Sequence, residues 1–136
     1  MEYTTVGSTS LDTAFIQFEI KNGILFITYK KGAELDINTT RELYELKKRF
    51  LGNDSYPTIV IDGGLKKIDK ASRDFLAKEG IENILAGAFV LPNAYSAALI
   101  RFFLLVDKPK VPYMVFTDIE KALVWLEQYK TKTDKK

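Results

Sequence analysis

The chain has 136 residues, 46% of them apolar and 28% charged, the size and composition of one globular domain with a core of its own. It contains no cysteine and no histidine. Disulfides, thiolate metal sites, thiol nucleophiles and imidazole bases are therefore excluded, and a cysteine-free chain suits a reducing, cytoplasmic compartment. The formal charge is only +2. Much of the excess lies in Lys130–Lys136, with four Lys and one Asp. A near-neutral body carrying a short basic tail lacks the basic face that nucleic acid requires.

In chain order, Met1–Thr13 is rich in Thr and Ser and has no basic start followed by an apolar run, so it reads as a flexible extension and not as a signal peptide. Phe15–Ile20 and Ile24–Tyr29 are β-rich runs joined across Asn22-Gly23, a hairpin signature. Lys30–Asp36 is a polar loop. Asn38 or Thr39 is the expected N-cap of a first helix, Thr39 forming a capping box with Glu42; Leu43, Leu46 and Phe50 give its apolar spacing and Gly52 its end.

Thr58–Ile61 is a short continuous apolar run, suited to a strand buried on both faces, and Asp62-Gly63-Gly64 ends it. Asp69 caps a second helix. Ala86–Leu91 is the next strand. Pro92-Asn93 opens a third helix whose inner face would hold Ala94, Ala98, Phe102 and Leu105. Leu99, Phe103 and Val106 make this helix apolar nearly all round, so it is deeply buried or faces a partner. Its apolar stretch, Ala94–Val106, is too short to span a bilayer.

Tyr113–Phe116 is a last strand and Thr117, with Glu120, the expected cap of a last helix. That helix carries Ile119, Ala122, Leu123 and Leu126 inward, with Trp125 and Tyr129 at the edge of the stripe.

The order β-β-α-β-α-β-α-β-α implies one α/β domain over residues 14–129, a mostly parallel five-stranded sheet with an antiparallel first strand, between the 1–13 extension and the 130–136 tail. That order, with Gly32 and Leu35-Asp36 ahead of the first helix, Ile59–Asp62 followed by Leu65 and Ile68-Asp69, and Phe102-Phe103, Lys108-Pro109 and Phe116-Thr117-Asp118 further on, resembles the STAS (anti-sigma-factor-antagonist-like) family and a bacterial group related to it. The resemblance implies a regulatory scaffold that works by protein–protein contact, as a homodimer or with another protein. In the family's phospho-switches a Ser or Thr directly follows the helix-capping Asp. Lys70 stands there in this chain, and Ser72, two positions on, is the nearest hydroxyl and the possible phosphosite. Its other reading is a first-turn hydroxyl that satisfies free backbone N–H groups.

The candidate contact surface is Asp62, Lys67, Asp69, Lys70 and Ser72. No cofactor, metal or catalytic residue is expected. Asp62, Asp69 and Asp107 fall near strand ends or helix starts, where an α/β sheet binds ligands, but each also has a structural reading as a strand end, a cap or a turn. The chain is thus read as non-catalytic. The other functional class is binding of a small apolar ligand in a cleft near the third and fourth helices, where Phe102, Phe103, Trp125 and Tyr129 would form either that cleft or a dimer face.

Overall fold

A computed structural model describes residues 3–5 and 9–130. The hairpin pairs Ile16–Lys21 (β3) with Ile24–Tyr29 (β4). Asn22 and Gly23 turn it with φ of 54° and 75°, the left-handed pair that matches the twist of the flanking strands. Upstream, Tyr3–Thr5 (β1) and Ser10–Thr13 (β2) extend the same sheet antiparallel, Leu11 lying opposite Phe18. The expectation of a flexible 1–13 extension is therefore corrected for these two segments. Leu11 is the one large apolar side chain in β2, so no hydrophobic alternation marked it; its pairing with β3 holds it in place. The tail at residues 131–136 lies outside the described residues.

Glu34–Leu35 (β5) precedes Ile37–Leu51 (α1), and Tyr56–Asp62 (β6) follows. Lys67–Ile68 (β7) leads into Lys70–Lys78 (α2), then Ile84–Val90 (β8), Ala94–Asp107 (α3), Tyr113–Phe116 (β9) and Ile119–Leu126 (α4). The main sheet has the order β1-β2-β3-β4-β6-β8-β9. Its first three pairings are antiparallel and the rest parallel. The expected strands are thus present, and β1 and β2 raise the main sheet from five to seven among the described residues. A separate parallel pair, β5 with β7, ties the loop before α1 to the loop before α2.

The steps β4→β6→β8→β9 all move in one direction, so right-handed crossovers place α1, α2 and α3 on one face. Leu25, Ile27, Leu43 and Leu51 form the core under α1 on that face, and Leu91, Ala97, Leu104 and Val115 the core under α3. Alternate strand residues, Ile24, Ile59, Ala86 and Ala88, point to the other face and pack on Ala122 and Leu126 of α4.

The caps show how an acid displaces a neighbouring hydroxyl. Asp36, not Asn38 or Thr39, caps α1 by accepting from the Thr39 N–H at 2.8 Å, and Asp118, not Thr117, caps α4. Asp69 and Asn93 cap α2 and α3 as expected.

Candidate functional site

The loop from Asp62 to Lys70 is built by its polar groups. The Asp62 Oδ1 accepts from the N–H groups of Gly64 and Leu65 at 2.8 and 2.7 Å. Gly63 donates its N–H to the Tyr29 carbonyl, and a Cβ at Gly63 would stand 2.5 Å from that oxygen, so only glycine fits. Burial, and then the Asp62 charge, push the Tyr29 hydroxyl up to about 12.

Beyond the loop, the Asp69 Oδ1 accepts from the Ser72 N–H at 2.8 Å. Hydrogen bonds from the Ser72 hydroxyl and N–H hold the Asp69 carboxyl below the usual carboxylate range. Ser72 is fully buried and also accepts from the Thr40 hydroxyl of α1 at 2.8 Å. Both roles of its hydroxyl are filled inside the α1–α2 contact. Ser72 is thus corrected as part of an exposed contact surface, and its phosphorylation would require the α1–α2 contact to open. Lys67 and Lys70 are exposed, and Lys70 pairs with Asp74 at 2.7 Å along the outer face of α2. Of the five expected surface residues, only these two lysines present charge without a structural duty in the loop.

The four aromatic residues do not share a cleft. Phe102 is 61% exposed on the outside of α3, whereas Phe103 faces inward, 4.3 Å below the Arg73 guanidinium. Trp125 and Tyr129 lie across the sheet, their tilted rings 4.9 Å apart, with Trp125 against Phe116 at 6.0 Å. The expected cleft near the third and fourth helices is corrected, because α3 and α4 occupy opposite faces. The expected inner stripe of α3 is also rotated. Ala94, Ala98, Phe102 and Leu105 face out, and Ala97, Ile100, Phe103 and Leu104 face in.

An apolar cavity of about 230 Å3 does exist, between the sheet and α1, α2 and α3. Val60, Phe89, Ile100 and Phe103 line it, and Thr58, Asp62, Arg73 and Asp107 bring polar groups to it. Lys47, only 4% exposed, donates from Nζ to the carbonyls of Gly80 and Glu82 at 2.7 and 3.1 Å, and burial lowers it to about 8. Tyr44 donates its hydroxyl to Glu82; burial first, then this bond, raise it to about 12. At the α2–α3 seam, burial and then a hydrogen bond with Asp74 raise the Asp107 carboxyl, while the Lys70 bond lowers Asp74.

Sequence reasoning missed Arg73 and Gly87 at this cavity. Gly87 carried a signal, as a lone glycine inside an apolar strand. Arg73 carried none, since an arginine one turn past a cap is ordinary. Among the described residues no group of three acids could hold a metal ion, and no helix is long and apolar enough to cross a membrane.

This architecture is similar to that of a protein of the DUF3478 family with a SpoIIAA-like fold, from Shewanella loihica PV-4. The TM-score is 0.59 over 82% of this chain and 91% of that one, at 13% identity. At that identity the likeness is one of fold, and it is the STAS-like fold expected from the residues. No curated protein matches the sequence. The family model of DUF7793, described as a domain of unknown function, matches residues 18–130, from β3 to beyond α4, and the chain belongs to that family.

Proposed function

We propose that the chain is a non-catalytic STAS-like interaction module whose partner is a second copy of itself, docked on the outer face of α3. The supporting observation is a continuous apolar stripe there. Tyr95, Leu99, Phe102 and Val106 are 74%, 42%, 61% and 62% exposed, with Leu105 beside them at 67%. Their spacing of four, three and four residues is that of a coiled-coil seam, a shape that packs against an identical helix. Arg101, the one charge between Ala94 and Val106, donates to the Val115 carbonyl at the edge of the sheet. The stripe therefore has no charge with which to select a different partner. Its five side chains offer on the order of 500 Å2 per copy. Pairing then buries about 1,000 Å2, the lower bound of a specific interface.

Sedimentation of the wild type and of Phe102→Glu tests the reading. The wild type sediments as a dimer and Phe102→Glu as a folded monomer. A wild type that stays monomeric at the highest concentration reached removes it. Lys70→Glu separates the two candidate surfaces, because it leaves an α3 dimer intact. If Lys70→Glu dissociates the dimer and Phe102→Glu does not, the contact belongs to the Asp62–Lys70 loop.

The second reading, binding of a small apolar ligand, is favoured by one observation, the cavity beneath α1, α2 and α3. A void of this size with such a lining is a ready binding site for a small apolar molecule.

A further inference from the structure

Three features of the cavity call for an occupant. The first is its size. An apolar cavity of about 150 Å3 holds benzene, so the 230 Å3 here accommodates a molecule of roughly eight to ten heavy atoms.

The second is Gly87, in the middle of β8 and on the cavity wall. Neither common reason for a strand glycine applies. Its φ is not positive, and a Cβ there would meet only the Phe89 Cε2, at an ordinary 3.7 Å. The chain carries the strand's least favourable residue type after proline at a position where a side chain would fit, and what that choice keeps open is the cavity.

The third is Arg73. Its Nη1 donates to the Ile68 carbonyl at 3.4 Å, and its guanidinium lies over Phe103. Its Nε is buried without a hydrogen-bond partner, the one such side-chain atom among the described residues. A buried guanidinium N–H without an acceptor is costly, and native folds rarely leave one so. The neighbouring acids leave that N–H unfilled: Asp69 caps α2, the Asp62 Oδ1 holds the loop, and Asp69 and Asp107 act on Arg73 through their charge without accepting from Nε. Nε and Nη2 share the guanidinium edge that binds a carboxylate through two parallel hydrogen bonds.

We infer that the cavity binds a small monocarboxylate with an aliphatic or single-ring body, its apolar part against Val60, Phe89 and Phe103 beside Gly87 and its carboxylate on the Nε/Nη2 edge of Arg73. This rests on the ligand-binding reading and adds the charged group that a purely apolar ligand lacks.

Calorimetric titration at neutral pH with hexanoate and phenylacetate, against their amides hexanamide and phenylacetamide, tests it. Each acid binds the wild type at least about tenfold more tightly than its amide, the margin of a charge-assisted pair over a neutral one. Arg73→Met brings acid and amide to equal affinity. If that variant does not fold, Arg73→Lys keeps the charge without the fork and narrows the preference. Gly87→Ile fills the cavity and abolishes binding of all four probes. Equal affinity of acid and amide for the wild type overturns the carboxylate assignment and leaves a ligand cavity standing. No binding of any probe overturns both. Undiminished binding to Gly87→Ile places the ligand elsewhere and also overturns the inference.

Discussion

The start of α2 and the outside of α3 invert the usual distribution of polar and apolar side chains. At the start of α2 a serine is wholly buried, its hydroxyl shared between Asp69 and Thr40. On α3 a tyrosine and a phenylalanine stand more than half exposed. The first region is closed because Thr40, Asp69 and Ser72 bond to one another within it; the second is open because no element among the described residues lies over it. The difference teaches where a partner can act on this molecule. A surface is available where apolar area lacks cover, not where a residue matches a switch by its position in the sequence.

The largest expected effect comes from forcing the closed region open. Ser72→Glu puts an unpaired carboxylate into the α1–α2 contact and should cost about 3–5 kcal/mol, the range for an uncompensated buried charge. Lys70→Glu, two residues earlier and exposed, reverses a surface ion pair and should move stability by no more than about 1 kcal/mol. Urea denaturation of both variants measures the contrast. A Ser72→Glu protein as stable as the wild type would mean that the seam opens readily, and would return Ser72 to the list of modifiable residues.

The next contrast lies within α3. Phe103→Ala removes a ring that lines the cavity and supports Arg73, and should cost about 3 kcal/mol, the low end for a half-buried ring. Phe102→Ala, its neighbour, removes an exposed ring and should change the stability of the monomer by less than about 0.5 kcal/mol. Comparable losses at the two positions would mean that the helix is not turned as described.

This pair also marks the limit of what the residues alone reveal. The hairpin, the order of strands and helices, and the caps at Asp69 and Asn93 were legible because each rests on a local signal: Asn-Gly, a period-two run, an acid or amide before a helix. The orientation of α3 was not. A helix apolar on every side has no polar face to point at water, so only its packing on Val115 and Leu91 decides which ring is inside. The burial of Ser72 was equally hidden, since its partner Thr40 lies 32 residues away. β2 escaped notice because one leucine makes no pattern. The cavity is a property of three helices and a sheet together, and of its polar groups only Asp62 and Asp107 were even candidates.

The α1–α2 seam holds a second buried group, and its titration gives a smaller effect. Lys47 is lowered to about 8 in the fold against 10.5 for a free lysine. Between those values the unfolded chain keeps a proton that the folded chain has released, so stability rises with pH through that window. From pH 8 to 10 the gain is about 2 kcal/mol. Above 10 the sign reverses, because Tyr29 and Tyr44 are raised to about 12 and the unfolded chain now loses its protons first. Denaturant midpoints across the alkaline range should therefore peak near pH 10, and Lys47→Met should flatten the rise while leaving the fall.

The smallest effect lies where the two regions meet, at Asp74 of α2 and Asp107 of α3. Asp107 is raised, so the stability it contributes is complete in acid and fades as pH rises through its folded value. Asp74 is lowered, so its contribution is complete at neutral pH and fades as pH falls through its folded value. The pair is best matched when Asp107 carries a proton and Asp74 does not, the state that the raised Asp107 and the lowered Asp74 favour. Asp107→Asn supplies the N–H donor at every pH. Once the pH has risen past the titration of Asp107, it should raise the melting temperature by about a degree or two. It should leave the acid limb unchanged, because Asp74 still sets that limb. A lower melting temperature at alkaline pH would show that Asp107 serves the seam between the closed and open regions as a charge, beside the Arg73 guanidinium over Phe103, and not as the donor to Asp74.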